Sequence, residues 1–488
     1  MRLSTLIAGL ATSRSGGGGD PDISALTADS RSVSHGSLFA ALPGGRHDGA
    51  AFAQEAVSRG AAAILISEQG LSALTPQPVP VLVSRQPRLT LSQLAARLYP
   101  RQPATIVAIT GTSGKTSVAS FARQIFSTLG HRSASLGTLG VVVGEEERYG
   151  SLTTPDPVAL HRQLDELAGD NVTHLALEAS SHGLDQFRLD GVRLAAGAFT
   201  NLSHDHLDYH RTSEAYLAAK LRLVSEVMPV SATLVVDCSS AAGVAFEAAA
   251  ERRGIRVLSL GAKGRDICVT SRDRLAQGQR LAITGRYGAA EILLPLVGDF
   301  QAANALVAAG LAIAAGEAPE RSFAALATLK GVKGRIEHVG SVDGAAVYVD
   351  YAHKPDALDN VLDALRPYAA GRLVVVFGCG GDRDSAKRAV MGEIAARKAD
   401  VVIVTDDNPR SEDPALIRAA ILKTCPGALE IGPRGEAISH AVDCLRAGDI
   451  LVIAGKGHET GQIVADRVLP FSDHEAVRAA ISVRGGQV

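Results

Sequence analysis

Residues 111–117, Gly-Thr-Ser-Gly-Lys-Thr-Ser, combine the residue types that hold a polyphosphate. They follow the apolar run TIVAIT (105–110) and precede a segment with Val118, Phe121, Ala122, Ile125 and Leu129 at helical spacing that closes at Gly130. A glycine loop between a strand and a helix aims backbone N–H groups and the positive helix end at phosphate. The lysine reaches the terminal phosphates, and the hydroxyl after it reaches a Mg2+ ion. Gly111, Thr112, Ser113, Gly114, Lys115, Thr116 and Ser117 are therefore the candidate phosphate loop. The usual pattern has a further glycine five residues before Gly114; this chain has Ile109 there, so the loop is a variant.

A second concentration of chemistry is NLSHDHLDYH (201–210), with three histidines and two aspartates. His204 and His206 point to opposite sides of an extended chain, which is poor geometry for joint ligation. Zinc wants three or four converging ligands, which Asp205, Asp208 and His210 supply only after an awkward loop. One site histidine with structural neighbours is the expectation. Glu178 ends the run THLALEA; a carboxylate at a strand's carboxyl end beside a phosphate loop is a candidate Mg2+ ligand, and its competing reading is a charged residue opening a loop. Lys220 falls in a helical segment over 213–227, in register with Tyr216 and Leu223. On spacing alone it reads as a solvated surface lysine.

The elements that must position these residues form an α/β pattern. At 488 residues the chain has room for about three domains. The N-terminal segment reads as a first helix followed by a loop, residues 80–83 (PVLV) as a strand, and the helical patch after them breaks at Pro100 and Pro103, setting a boundary near residue 102. Strand runs at 105–110, 173–179, 195–202 and 232–237 alternate with helical segments, as in a mainly parallel sheet. A second boundary falls near GVKGRIE (331–337), and four strand runs follow: AAVYVDY, RLVVVFG, DVVIVTD and DILVIAG. Each of the four ends in a polar or glycine-containing loop, where open α/β sheets bind ligands. The 49 basic and 51 acidic residues are interspersed, which argues against broad nucleic-acid or membrane binding and for small-molecule partners. Five cysteines without a CxxC pair indicate neither a disulfide framework nor a cysteine zinc site and fit a reducing cytoplasm.

The segments TGTSGKTS, EASSHGLDQFR, TNLSHDHLDYH with its following AAK, DYAHKPD, GCGGDRD, DDNPR and AGKGHE together resemble the ATP-dependent Mur ligases of peptidoglycan synthesis, in the family's order and over essentially the whole chain. The resemblance implies three domains: a uridine-nucleotide-binding α/β domain over 1–102, a central P-loop domain with a mainly parallel sheet over 103–332, and a C-terminal Rossmann-like, amino-acid-binding domain over 333–488. It implies transfer of the ATP γ-phosphate to the D-Glu γ-carboxylate of UDP-MurNAc-L-Ala-D-Glu, and attack of an amine on the acyl phosphate. Lys115, Glu178, His206 and Lys220 match the family's catalytic positions, with Thr116, Glu178, His206 and Lys220 about Mg2+ and Lys220 carbamylated by CO2. Asn304, Arg335, Asp350 and His353 match positions around ATP; Ser30, Thr153, Thr154, Ser180, Gln186 and Arg188 match contacts to the UDP-MurNAc-dipeptide.

The choice of amine rests on DDNPR (406–410). Meso-diaminopimelate carries a carboxylate that lysine lacks, and a guanidinium fork can bind it in a bidentate way. Arg410 supplies that fork, and Arg383, Asp407, Asn408, Gly455 and Glu459 match the remaining amino-acid contacts. Two departures from the family pattern, Ser113 where Asn is commoner and Lys354 where Thr is commoner, touch no residue assigned to catalysis. A lysine-adding member would lack DDNPR; a folylpolyglutamate synthase would share the loop and the modified lysine but not DSRSV, TTPD and DDNPR; a non-catalytic nucleotide switch would dispense with Lys220 and Arg410. The expected protein is a cytoplasmic monomer.

Overall fold

Runs of Val, Ile, Leu and Ala form the buried strands of three sheets in a computed structural model, which describes residues 1–488 apart from 18, 45–47, 149, 151, 204, 276–277 and 488. The chain divides into two compact units, one of residues 1–269, 284–288 and 306–322, the other of residues 270–283, 289–305 and 323–488.

In the first unit, β1 (Ser13–Gly16), β2 (Ala25–Thr27), β3 (Ser37–Ala41), β4 (Ala61–Ser67) and β5 (Pro80–Ser84) make a sheet in the order β1-β5-β4-β3-β2. Alternate residues feed two cores: Leu38, Ala40, Leu65 and Leu82 pack with Leu91 and Leu94 of the helix Pro87–Leu98, while Phe39, Ile64 and Ile66 face the opposite side. The N-terminal reading is corrected here: the helix Leu3–Ile7 is present, but Ser13–Gly16 is a strand and not loop. Its polar, exposed residues carry no apolar period, and it is held by antiparallel pairing to the buried β5.

The phosphate-loop sheet contains β6 (Thr105–Thr110), β7 (Ser133–Gly137), β8 (Gly140–Val143), β9 (Glu146–Arg148), β10 (His174–Glu178), β11 (Ala196–Phe199), β12 (Thr233–Asp237) and β13 (Arg256–Gly261), ordered β13-β12-β11-β6-β10-β7-β8-β9. From β13 to β7 the pairing is parallel; β8 and β9 add an antiparallel edge. β6 is thus central, flanked by β10 and β11, and the loops after all three open on one edge. Helix α1 (Lys115–Thr128) packs on β7 and β10 with Val118, Phe121, Ala122 and Ile125 buried. Ile109, the departure from the usual loop, lies wholly inside β6 in register with Glu178. The side chain there fills the sheet, so the tight turn begins only at Gly111.

The second unit holds β14 (Glu337–Val342), β15 (Ala345–Asp350), β16 (Leu373–Phe377), β17 (Val401–Val404), β18 (Leu429–Glu430) and β19 (Ile450–Ala454), ordered β14-β15-β19-β16-β17-β18 and parallel except for the β14–β15 pair. Both faces are covered by helices, which is why β16 and β19 are apolar at every position. The antiparallel hairpin β20 (Gly461–Val464) and β21 (Arg467–Pro470) stands apart.

Candidate active site

Gly111 leaves β6 at φ +147°, and a Cβ there would stand 1.9 Å from Thr200 Oγ1, so only glycine lets the loop pass. The loop is fastened from the segment after β11. Asn201 O accepts from Thr112 N (2.8 Å), Asn201 Oδ1 from Ser113 N (3.0 Å), and Thr200 Oγ1 donates to Ser113 O (2.7 Å). Gly114, at φ +86°, caps α1, so Lys115 and Thr116 stand in its first turn, where N–H groups have no partner in a preceding turn. Lys115 Nζ folds back onto Gly111 O and Thr112 O, both at 2.9 Å.

Glu178 is buried at the carboxyl end of β10. Its Oε2 accepts from Thr116 Oγ1 (3.2 Å) and Thr138 Oγ1 (3.3 Å), and its Oε1 from Thr138 N (2.8 Å). Gly137 makes room: a Cβ there would lie 2.1 Å from Glu178 Oε1. Thr138, which the sequence reading missed, follows the end of β7 in SLGTLG, at the carboxyl end of a strand as Glu178 is.

Lys220 is not a surface lysine. It lies on α2 (Ser213–Arg222), 1 % exposed, with Nζ 2.7 Å from Gly111 O and 4.3 Å from the centroid of the Tyr216 ring. The helical register with Tyr216 and Leu223 is present, and all three are buried because that face turns inward. Burial, reinforced by the Lys115 charge, pushes the Lys220 ammonium down to about 6. Lys115 and Lys220 thus meet the same carbonyl oxygen. Tyr216 OH bonds Thr112 Oγ1 (3.2 Å) and links α2 to the loop.

His206 follows on the exposed side, at φ +53° just before the turn Leu207–His210. Its Nε2 is 3.5 Å from Asp205 Oδ2, and its ring lies 4.9 Å from His182 and 6.2 Å from Tyr216. It is near the Lys220 group through Tyr216. Asp205 Oδ1 accepts from His206 N (2.9 Å), and His210 is buried; His204 lies outside the described residues.

Beyond Glu178 a polar chain continues. Thr154 Oγ1 donates to Glu178 O (2.7 Å) and accepts from Ser180 N (3.0 Å), Thr153 Oγ1 meets Thr138 Oγ1 (3.1 Å), and Arg188 spans Thr154 O (2.6 Å) and Gln186 Oε1 (2.7 Å). Gln186 also donates to Tyr209 OH, which donates to Asp185. Burial holds the Arg188 guanidinium below its usual range, the state of a cation short of anionic partners. Ser30 is apart from this group, on the segment after β2, with Oγ 3.5 Å from Glu55 Oε2.

The second unit gathers the other candidates at the carboxyl ends of β15, β16, β17 and β19. Asp350 ends β15 and accepts from Ile336 N (2.7 Å) and Ala352 N (2.8 Å); burial raises its carboxyl to about 6, against the lowering effect of Arg335. Arg335 stacks its guanidinium 4.6 Å over Tyr351, and Asn304 is buried on the helix Asp299–Ala314. His353 Nδ1 is 2.8 Å from Tyr351 O, and burial lowers its imidazole to about 4.

After β17, Asn408 Nδ2 donates to Glu459 Oε2 (3.1 Å), and its Oδ1 accepts from Ile463 N (2.9 Å) and Lys456 Nζ (3.0 Å). Asp407 Oδ1 accepts from Asn408 N, while Oδ2 is buried without a protein partner and would collide with any Cβ at Gly455. Arg410 sits at φ +52° and is pinned by Ile463 O and Ala465 N of the hairpin, its Nη1 donating to Gly381 O (2.7 Å). Arg383 is exposed; burial raises the Tyr351 hydroxyl above its usual range, with the charges of Arg335 and Arg383 acting against that rise. Lys456, fully buried between Asn408 and Glu459 (3.0 Å to Glu459 Oε2), is a pocket residue that the sequence reading missed inside its own GKGHE motif.

The arrangement offers a polyphosphate cradle beside a carboxylate and a buried amine, and separately a pocket rich in carboxylate and guanidinium groups. Family models match in chain order: "Mur ligase family, catalytic domain" over residues 22–99, "Mur ligase middle domain" over 109–312 and "Mur ligase, glutamate ligase domain" over 334–457. The UDP-N-acetylmuramoyl-L-alanyl-D-glutamate--2,6-diaminopimelate ligase of Bradyrhizobium diazoefficiens is 56% identical over 95% of this chain and 96% of its own, and that of Mesorhizobium japonicum 54% over 95% and 96%. A solved structure of a ligase of the same name superposes with TM-score 0.70 at 32% identity, covering 95% of both chains.

Proposed function

The chain belongs to the Mur ligase family, and from that premise we propose that it couples ATP cleavage to the addition of meso-2,6-diaminopimelate to the D-Glu γ-carboxylate of UDP-MurNAc-L-Ala-D-Glu. The observation that carries the reading is the buried Lys220 amine meeting Lys115 at Gly111 O, beside the Thr116–Glu178 pair.

A carboxylate is a poor electrophile. Its oxygen attacks the γ-phosphorus of ATP, ADP leaves, and the resulting acyl phosphate is attacked at carbon by the unprotonated amine. The C–N bond forms, the C–O bond to phosphate breaks, and the nitrogen loses a proton. Lys115 and the first turn of α1 bind and orient the phosphates, and their charge favours the crowded anionic transition state. Gly111, Thr112, Ser113, Gly114 and Ser117 shape that cradle. Arg188 holds a carboxylate or phosphate of the nucleotide substrate, with Ser180, Thr153, Thr154 and Gln186 fixing its polar groups and Ser30 its uridine end.

Thr116 and Glu178 offer the oxygen donors that Mg2+ prefers, and His206, whose ring lies 6.2 Å from that of Tyr216, is assigned to the same ion. An amine suits Mg2+ poorly, but Lys220 is placed to become a better donor: its lowered proton affinity leaves a neutral, nucleophilic amine at pH 7, which can add CO2 to give a carbamate. The carbamate would also place an anion beside the Lys115 cation. Thr116, Glu178, His206 and carbamylated Lys220 would hold Mg2+, which would offset the mutual repulsion of phosphate and carboxylate.

Asn304, Arg335, Asp350 and His353 are assigned to the nucleotide side of residues 333–488 and its approach. Arg410 and Arg383 take the distal carboxylate of diaminopimelate, and Asp407, Asn408, Gly455 and Glu459 its ammonium and remaining polar atoms. The assignment of 1–102, 103–332 and 333–488 to nucleotide substrate, ATP and amino acid, and of a monomer acting in the cytoplasm, belongs to the same proposal. Among the described residues no helix is long and apolar enough to cross a membrane. The test is mass spectrometry of the nucleotide product: the proposal expects one amide-linked diaminopimelate per nucleotide, formed only with ATP. An unmodified nucleotide recovered beside consumed ATP contradicts it.

A further inference from the structure

β10 carries chemistry at both ends. Glu178 closes it, whereas His174 opens it four residues earlier, about 13 Å away along the strand. His131 follows α1, and Glu317 follows the helix Asp299–Ala314. The three side chains converge: His131 Nε2 is 2.7 Å and His174 Nε2 3.9 Å from the same Glu317 oxygen, and one ligand atom from each residue falls within 4.8 Å of the others. None of the three enters the mechanism above.

We propose that His131, His174 and Glu317 form a binding site for one divalent first-row transition-metal ion, with zinc as its natural class. Two imidazoles and one carboxylate are a donor set for zinc and its neighbours and not for Mg2+, which keeps to oxygen. Tetrahedral zinc with bonds near 2.1 Å spaces its donors about 3.4 Å apart, and the two observed separations from Glu317 bracket that spacing. The outer hydrogen bond of a metal-bound histidine is also present. His174 Nδ1 lies 2.9 Å from Thr173 Oγ1, whose hydroxyl is 3.3 Å from Arg132 O. A hydroxyl donating to that carbonyl receives the Nδ1 proton, which leaves the Nε2 lone pair facing Glu317.

The surroundings favour a neutral imidazole. His174 is buried against Phe126, with ring centroids 4.7 Å apart, and stacks at 3.8 Å on His131. Burial, then the His131 charge, lowers His174 to about 4, so at pH 7 it is in the form that ligates. The two rings are only 28° from parallel, so ligation turns them edge-on to a common point, a rotation about the soft terminal torsion of histidine. His131 is partly exposed and leaves the fourth position open to water. The ion would tie the end of α1 to the start of β10 and leave the phosphate edge of the sheet untouched.

The full-length protein, stripped with a chelator and returned to buffer holding millimolar Mg2+, is titrated with Zn2+ by calorimetry and with Co2+ by visible absorption. One equivalent of Zn2+ should bind, and Co2+ should show the absorption of a low-coordinate nitrogen-containing site. His131→Ala and Glu317→Gln, both at partly exposed positions, should each weaken binding by at least about 100-fold, the upper end of what losing a ligand's hydrogen-bond partner costs. Circular dichroism verifies that each variant is folded. Substoichiometric binding, or equal affinity in both folded variants, overturns the proposal.

Discussion

Lys220 shows how a residue's burial and partner can be invisible to spacing. Its register with Tyr216 is readable, but the inward turn of that face comes from tertiary packing, and only the structure puts its amine on Gly111 O. Two outcomes follow. Lys220→Ala should lose at least about 100-fold in turnover, as removal of a transition-state charge stabiliser does, and a short carboxylic acid added to the assay should restore part of it. With 13C-labelled bicarbonate, the wild type should give a carbamate signal that is absent in the variant. Because the amine is held down at about 6, the neutral form dominates above that pH, so the signal should persist from pH 8 to pH 7 and fade as pH drops through 6. A signal of equal size in Lys220→Ala would reject the assignment. His206 is the contrasting case: its type was legible, whereas its left-handed backbone and its partner Asp205 were not, since both depend on the loop's path.

At the scale of elements, β7 and β10 set the position of Glu178. Gly137 at the end of β7 leaves the space that the carboxylate fills, so Gly137→Ala should displace Glu178 and lower kcat at least about tenfold while the cooperative thermal transition is retained. Steady-state kinetics beside calorimetry checks this; unchanged kcat would show that Glu178 is not held by that fit. In the second unit, Arg434 and Asp473 are buried completely and pair at 2.7 Å, and Arg434 also donates to Ala454 O at the end of β19. Arg434→Met alone leaves a buried aspartate unpaired and should cost about 3–5 kcal/mol in denaturant unfolding, whereas adding Asp473→Leu should recover much of that loss. The strands themselves were readable from apolar runs: Thr105–Thr110, Thr233–Asp237, Ala345–Asp350, Leu373–Phe377, Val401–Val404 and Ile450–Ala454 fall where the sequence places them. The polar edge strand Ser13–Gly16 was not, because partner pairing and not composition makes it a strand. Thr138, Asn201 and Lys456 escaped for a related reason: each acts through contacts to distant segments that local patterning does not encode.

For the whole molecule, the repeated logic is a parallel sheet whose carboxyl-end loops carry the polar groups. One such edge holds Gly111, Lys115 and Glu178, reached by Lys220 from α2; another holds Asp350, Asp407, Arg410 and Glu459. The order of motifs made the family legible, while the paths of the loops, fixed by Asn201 in the first unit and by the hairpin β20–β21 in the second, required the fold. On the proposed assignment of Arg410 to the distal carboxylate, its guanidinium fork should discriminate strongly between diaminopimelate and lysine. The most direct measurement is therefore ADP and phosphate release with UDP-MurNAc-L-Ala-D-Glu and either amine. Release should require the nucleotide and meso-diaminopimelate together and be lower with L-lysine by at least about 100-fold in kcat/KM. Equal turnover with L-lysine, or sustained release without the uridine nucleotide, would contradict the account.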